Sequence, residues 1–167
     1  MSSRTFELPA NRGYVIFEEV VLQHMYRYAQ SHLRDHEAGG QLFSAAPHVF
    51  GVVIQVATGP HRRDKRTRYQ FVPDLLSATR DRETQFAIGR HAVGLWHTHP
   101  EDNPEPSGLD CTTTRKYLNA FNGEMDGFLL VILGRRGNPF NMSVWMASIM
   151  PVESWSKLPE IYDHKVL

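Results

Sequence analysis

The stretch AVGLWHTHPEDNPEPSGLD, residues 92–110, predicts a strand, a loop and a helix in succession. Its first part is mostly apolar and runs into two histidines, as in a buried strand. Ser107 precedes a helix-compatible segment and can serve as its N-cap. Three prolines restrict the backbone of the loop between them, Pro100, Pro104 and Pro106. The last fourteen residues also contain two histidines and four carboxylates, so this segment is a candidate metal site.

The two histidines are spaced to act together. Side chains alternate between the faces of a strand, so His97 and His99 project from the same face. A catalytic zinc takes three protein ligands, so a third is needed. Asp110, in the first turn of the following helix, is better preorganised than the loop acids Glu101, Asp102 and Glu105. Considered alone, Ser107 and Asp110 could simply cap the helix, and each histidine could be a structural residue with no metal.

The rest of the chain predicts an α/β domain without regular alternation of strands and helices. Apolar spacing predicts an amphipathic helix over residues 17–33, and Asp74 can cap a second helix over 74–89. Strands are expected within 38–58, in GFLLVILG (127–134) and in MSVWMASI (142–149). The basic run from His61 leads into a strand ending at Pro73, either a solvated hairpin edge or a docking surface.

Length and composition bound the class of protein. A chain of 167 residues predicts one domain, which we expect to span 1–150, with a packed or partly mobile extension over 151–167. A net charge of +0 gives no overall drive toward nucleic acid or membrane. We find neither a signal-peptide pattern nor about twenty consecutive apolar residues, so we expect a soluble, cytoplasmic protein. The single cysteine, Cys111, excludes a multi-cysteine zinc site but leaves a thiol nucleophile open.

The pattern H-x-H-x7-S-x2-D, matched by His97, His99, Ser107 and Asp110, resembles the JAMM signature of MPN-domain metalloproteases. The resemblance spans roughly residues 15–150 and implies the MPN fold, a cytidine-deaminase-like mixed β-sheet flanked by helices. It implies Zn²⁺ bound by His97, His99 and Asp110, and Ser107 as hydrogen-bond donor to the oxyanion. Manganese, iron or cobalt could also use such ligands.

The family also places a catalytic glutamate upstream, and Glu37 in HEAGGQLF resembles it in position and glycine-rich context. This glutamate would accept a proton from the metal-activated water and deliver it to the leaving amine. The segment also resembles the H-E-x-x-H zinc motif, but Gly40 stands where the second histidine belongs. His36 is therefore not predicted to bind metal.

A complete motif implies a peptidase that cleaves isopeptide or peptide bonds after the C-terminus of ubiquitin or a ubiquitin-like protein. The chain is similar to deconjugating peptidases of bacterial CBASS anti-phage operons, which release the C-terminus of a cyclic-nucleotide synthase (CD-NTase) from target proteins. The expected partner is therefore a protein with an extended conjugated C-terminus, and not nucleic acid or a membrane. Residues 61–71 and 122–128 are candidate walls of the substrate channel.

Two further functions stay open at this point. One is a peptidase that processes a sulfur-carrier or other ubiquitin-like precursor. The other, of a different class, is a non-catalytic MPN scaffold.

Overall fold

Strands make up most of the fold, and helices pack against them. The computed structural model describes residues 2–121, 125–149 and 152–161. Among these residues it contains three α-helices, α1 (Glu19–Tyr26), α2 (Leu75–Ala87) and α3 (Gly108–Ala120). The strands are β1 (Arg4–Glu7), β2 (Tyr14–Phe17), β3 (Gly39–Ser44), β4 (Gly51–Ile54), β5 (Val56–Ala57), β6 (Lys65–Thr67), β7 (Gln70–Val72), β8 (His91–Thr98), β9 (Phe128–Gly137), β10 (Phe140–Ser148), β11 (Ser154–Lys157) and β12 (Glu160–Ile161).

The strands form two mixed sheets and a separate hairpin. The larger sheet has the order β11-β10-β9-β8-β3-β5, with β8 and β9 parallel and the other neighbours antiparallel. The smaller has the order β12-β1-β2-β4, with β2 and β4 parallel. Strands β6 and β7 pair only with each other among the described strands. Mixed sheets with packed helices confirm the predicted α/β class.

At two places only one or two residues separate a strand of one sheet from a strand of the other. Gln55 separates β4 from β5, and its N–H donates to Phe43 O of the larger sheet at 3.0 Å. Leu158 and Pro159 separate β11 from β12 in the same way. The main core lies between the two sheets and includes fully buried Phe17, Leu22 and Leu42. A second, smaller core around Leu118 and Phe128 lies under α3, on the other face of β9.

The helix predicted over residues 17–33 is wrong in its extent. Phe17 is the last residue of β2, pairs with Arg4 and Ile54 on its two sides, and is fully buried. Helix α1 ends at Tyr26, and the chain then turns. Leu33, counted in the predicted apolar face, is 80% exposed. The sequence reading also missed β1 and β2 altogether.

Most other elements confirm the prediction. Asp74 caps α2 by accepting a hydrogen bond from Ser77 N at 3.0 Å, and the strands expected within 38–58, 127–134 and 142–149 are present. Residues 61–73 contain the β6–β7 hairpin. The division into 1–150 and 151–167 stays a prediction; the described residues 152–161 contribute one strand to each sheet. In the described part of the chain, no helix has the length and apolar character needed to cross a membrane.

Candidate active site

Strand β8 places His97 and His99 side by side at the end of the larger sheet. Both are 8% exposed, and their Nε2 atoms lie 3.0 Å apart. Thr98, between them, points to the opposite face, as strand alternation requires. Its Oγ1 accepts a hydrogen bond from Ala38 N at 3.0 Å, and its own N–H donates to Ala38 O at 2.9 Å. The histidine strand is thereby tied to the residue that follows Glu37.

Asp110 reaches the same point from the first turn of α3. Its Oδ1 lies 3.2 Å from His97 Nε2 and its Oδ2 lies 3.5 Å from His99 Nε2. Ser107 N–H donates to Asp110 Oδ2 at 2.6 Å, and Ser107 Oγ accepts from Asp110 N at 3.3 Å, which completes a capping box. The capping interpretation and the ligand interpretation are therefore compatible, because the cap orients the carboxylate.

The charge of Asp110 is strongly favoured at this position. Burial opposes ionisation, but hydrogen bonds from His97, His99 and Ser107 outweigh it and hold the pKa of Asp110 well below its usual range. A carboxylate that stays ionised is a suitable metal ligand over the whole physiological pH range.

The three side chains fit a tetrahedral metal. In a zinc site with metal–ligand distances of about 2.0 to 2.2 Å, ligand atoms are separated by about 3.3 to 3.6 Å. The separations of 3.0, 3.2 and 3.5 Å here lie close to that range, with His97 and His99 facing different oxygens of Asp110. Imidazole nitrogens and a carboxylate are also a donor set that zinc accepts. His97, His99 and Asp110 thus form a group able to bind a metal ion.

The loop between His99 and Ser107 is fastened to the sheet. Asp102 accepts a hydrogen bond from Arg135 Nε at 2.7 Å, its main-chain oxygen accepts from Asn141 Nδ2 at 2.7 Å, and Glu105 pairs with Lys157 of β11. Neither acid belongs to the metal-binding group. Glu101 is likewise outside it, with Oε2 at 3.7 Å from His99 Nδ1. The loop acids therefore make structural contacts, and these contacts restrain the loop in addition to its three prolines.

Glu37 lies in the segment leading into β3, beside the histidines. It is 6% exposed and lines the same cavity as His97, His99, Ser107 and Asp110. Burial raises the pKa of Glu37 to about 7, and nearby His99 partly opposes this. A carboxyl group with a pKa near neutrality is suited to accept and return a proton. The structure therefore brings all five residues of the sequence motif to one site.

The site opens into a cavity of about 590 Å³. One wall comes from the β6–β7 hairpin and the start of α2, and the other from α3. Apolar side chains from both walls and the sheet floor line it: Phe71, Val72, Leu95, Leu109, Tyr117 and Leu130. The predicted wall at 61–71 is thus present, through His61, Asp64 and the residues from Arg68 onward.

Two other predicted features lie elsewhere. Of the predicted wall at 122–128, residues 122–124 lie outside the described residues, and Met125, Asp126 and Gly127 line a different cavity of about 270 Å³. Cys111 does not line the main cavity, and burial and the adjacent Asp110 raise the pKa of its thiol. A raised pKa disfavours the thiolate that a cysteine hydrolase requires.

The sequence did not reveal which residues contact the main chain of Glu37. Its N–H donates to Thr67 O at 2.8 Å, and its carbonyl oxygen accepts from Arg66 Nε at 2.6 Å. The basic composition of residues 61–68 was visible in the sequence, but nothing distinguished Arg66 from its basic neighbours.

This chain resembles known proteins over most of its length. The family model described as prokaryotic homologs of the JAB domain matches residues 18–148. A protein of Pseudomonas aeruginosa (strain BWHPSA011 / Pa011) named CD-NTase/cGAS isopeptidase is 38% identical over 130 residues, which cover 75% of this chain and 80% of that protein. An Escherichia coli (strain TW11681) protein of the same name is 29% identical over 132 residues, covering 73% and 76%.

A solved structure shows a related fold. The solution structure of protein DSY2949 from Desulfitobacterium hafniense superposes with a TM-score of 0.60 at 14% identity, covering 84% of this chain and 87% of that one. The family model covers the whole stretch from Glu18 to Ser148, which includes every residue of the site. The chain therefore belongs to the prokaryotic JAB-domain family.

Proposed function

We propose that this protein is a zinc-dependent isopeptidase that cleaves after the C-terminal residue of a conjugated CD-NTase or ubiquitin-like protein. We place it in the cytoplasm, as part of a CBASS antiviral system. The observation that carries the proposal is the convergence of a near-neutral buried glutamate and a His-His-Asp group in one cavity. The names of the Pseudomonas and Escherichia relatives support the substrate class.

Each site residue has a role in this reaction. His97, His99 and Asp110 would bind the metal. When bound, zinc supplies Lewis acidity, which activates water and polarises a carbonyl group. Glu37 would take a proton as water attacks the scissile carbonyl carbon, and would deliver it to the departing lysine amine. The hydroxyl of Ser107 would donate a hydrogen bond to the carbonyl oxygen as negative charge develops there.

The cavity suits an extended protein tail. Strand β7 pairs on one side with β6, and its residues Gln70–Val72 line the cavity opposite α3. An incoming tail could add to the free edge of β7 as a further strand, using main-chain hydrogen bonds that do not depend on sequence. The apolar lining from Phe71, Leu95 and Tyr117 would then contact its side chains.

The test uses a CD-NTase joined through its C-terminal carboxyl group to the lysine side chain of a fluorescent peptide. We expect the wild-type protein to contain one zinc per chain and to release free peptide and intact CD-NTase. Glu37→Gln should keep the zinc and lose cleavage by roughly 10²- to 10⁴-fold, since the proton acceptor is removed. Glu83→Gln, an exposed neutralisation on α2, is the matched control and should cleave normally.

Other outcomes would change the conclusion. An active Glu37→Gln enzyme would remove the proposed base. A wild-type protein that cleaves a linear ubiquitin-like precursor but not the isopeptide conjugate would support the processing function. A protein that binds no zinc and cleaves neither substrate would support a scaffold.

A further inference from the structure

The main chain around Glu37 is bonded on two sides. On one side, Ala38 exchanges hydrogen bonds with Thr98 of the histidine strand. On the other, Glu37 N–H donates to Thr67 O of β6 at 2.8 Å. The Phe71 ring of β7 packs over Gly39, where an added Cβ would lie 2.7 Å from ring carbons. The hairpin that forms a wall of the cavity therefore also touches the segment that carries the glutamate.

Arg66 makes the strongest of these hairpin contacts. Its Nε donates to Glu37 O at 2.6 Å and its Nη2 donates to His36 O at 3.2 Å. The guanidinium also lies over the Tyr28 ring, 5.9 Å from the centroid. Together, Arg66 and the Thr67 carbonyl engage both main-chain polar groups of Glu37. Arg66 is not among the residues that line the cavity.

We propose that Arg66 is a positioning residue for Glu37, acting through the main chain and not through contact with the reacting groups. This rests on the proposed function, because it takes Glu37 as the proton acceptor. Without the guanidinium, two main-chain carbonyls at residues 36 and 37 lose their donor, and the segment can rotate. A general base displaced by about 1 Å can cost on the order of 10²-fold in rate.

Arg90 supplies a control that lies away from the cavity. Its Nη1 donates to Gln85 Oε1 at 3.3 Å, and Arg90 is not among the residues that line either cavity. Arg66→Met and Arg90→Met make the same chemical change, and only the first removes hydrogen-bond donors from the main chain of residues 36 and 37.

The kinetic test uses the isopeptide-linked CD-NTase conjugate. We expect Arg66→Met to lower kcat roughly 10- to 100-fold with KM within about twofold and zinc content unchanged. Arg66→Lys keeps one donor and should recover part of kcat. Arg90→Met should lower kcat by less than about threefold. A fall in kcat shared equally by both methionine variants, or a rise in KM without a change in kcat, would overturn the proposal.

Measurements in the Glu37→Gln protein distinguish positioning of Glu37 from a general disturbance of the fold. In Glu37→Gln, the Arg66→Met change should lower the residual rate by less than about threefold, since the group that it positions is gone. An undiminished effect there would show that Arg66 acts on something else.

Amide hydrogen exchange tests whether Arg66 holds the main chain of Glu37, and it needs no substrate. Arg66→Met should speed exchange of the Glu37 amide at least about tenfold relative to both wild type and Arg90→Met, while β8 amides stay protected. Unchanged exchange at Glu37 overturns the proposal whether or not the protein cleaves the conjugate. If the wild type cleaves nothing, the proposed function fails, and the exchange result still decides whether Arg66 anchors this segment. If Arg66→Met does not fold, Arg66→Lys is judged by the same measurements.

Discussion

At the scale of single residues, Glu37 illustrates a conflict between stability and chemistry. Glu37 is 6% exposed, so ionisation of its carboxyl group is opposed by desolvation, which raises its pKa to about 7. The same shift would suit Glu37 to the proposed role of a base near neutral pH. Such a residue is expected to weaken the fold at the pH at which it works.

This gives a prediction for metal-free protein. The pKa of Glu37 rises from 4.5 in the unfolded chain to about 7 in the fold, so ionisation favours the unfolded state as pH increases between these values. Glu37→Gln should match the wild type in unfolding free energy near pH 4.5 and exceed it by up to about 3 kcal/mol at pH 8. Denaturant unfolding at several pH values, with Glu83→Gln as control, measures this. A pH-independent difference would contradict it.

Site residues were the most predictable part of the molecule. Four of these residues lie in one short segment: His97, His99, Ser107 and Asp110. Strand alternation and helix capping are local rules, and they suffice to bring the four side chains together. Arg66 could not be found in this way. Its partners are the carbonyls of residues 36 and 37, about thirty positions earlier. Every residue has a main-chain carbonyl, so the sequence does not show which of them accepts a hydrogen bond.

At the scale of elements, the hairpin β6–β7 combines a cavity wall with a charged rim. Its basic run splits into two groups, because Arg66 and Arg68 donate to main-chain carbonyls, while Arg62, Arg63 and Lys65 are exposed. The first group is structural. The second group lies beside the wall of the cavity and is available to a partner.

We predict that charge reversal at Arg62, Arg63 and Lys65 raises KM for the conjugate several-fold while leaving kcat within about twofold, because docking charges act mainly on encounter. The effect should shrink as salt is raised, since exposed charges are screened. Arg27→Glu with Lys116→Glu, two exposed positions that do not line the cavity, serves as the control. An unchanged KM would show that Arg62, Arg63 and Lys65 do not contribute to substrate binding.

The misplaced first helix shows why elements were harder to predict than the site. Residues 14–17 form a strand because β4 lies beside them in parallel register, from Tyr14 with Gly51 to Phe17 with Ile54. That pairing joins segments far apart in sequence, whereas the helical spacing of Val21, Leu22 and Met25 is local. Phe17, the last residue of that strand, therefore appeared to be the first residue of the helix.

At the scale of the whole molecule, the end of the chain joins both sheets. Strand β11 extends the larger sheet, and β12 pairs with β1 in the smaller one. Glu160 accepts two hydrogen bonds from Arg4 at 2.7 and 2.6 Å, in a pair that is 10% and 15% exposed. Leu158 is 4% exposed in the main core. These contacts make residues 154–161 part of the fold, whichever way the domain boundary is drawn.

Truncation should therefore remove part of the fold. A chain ending at residue 149 should lose its cooperative thermal unfolding transition, since it gives up an edge strand of each of the two mixed sheets. Glu160→Ala should cost roughly 3–5 kcal/mol, since it leaves the Arg4 guanidinium without its buried partner. Differential scanning calorimetry of the three proteins tests these outcomes.

The capping box of α3 has a consequence for how metal affinity can change. One oxygen of Asp110 accepts the Ser107 amide, which starts the helix, and the other faces His97. In the proposed metal site, helix formation and ion binding are therefore linked equilibria that share one carboxylate, so each would shift the other by the same free energy. Substitutions on the solvent side of α3, several turns from the ion, can then tighten or loosen its binding without altering a single ligand.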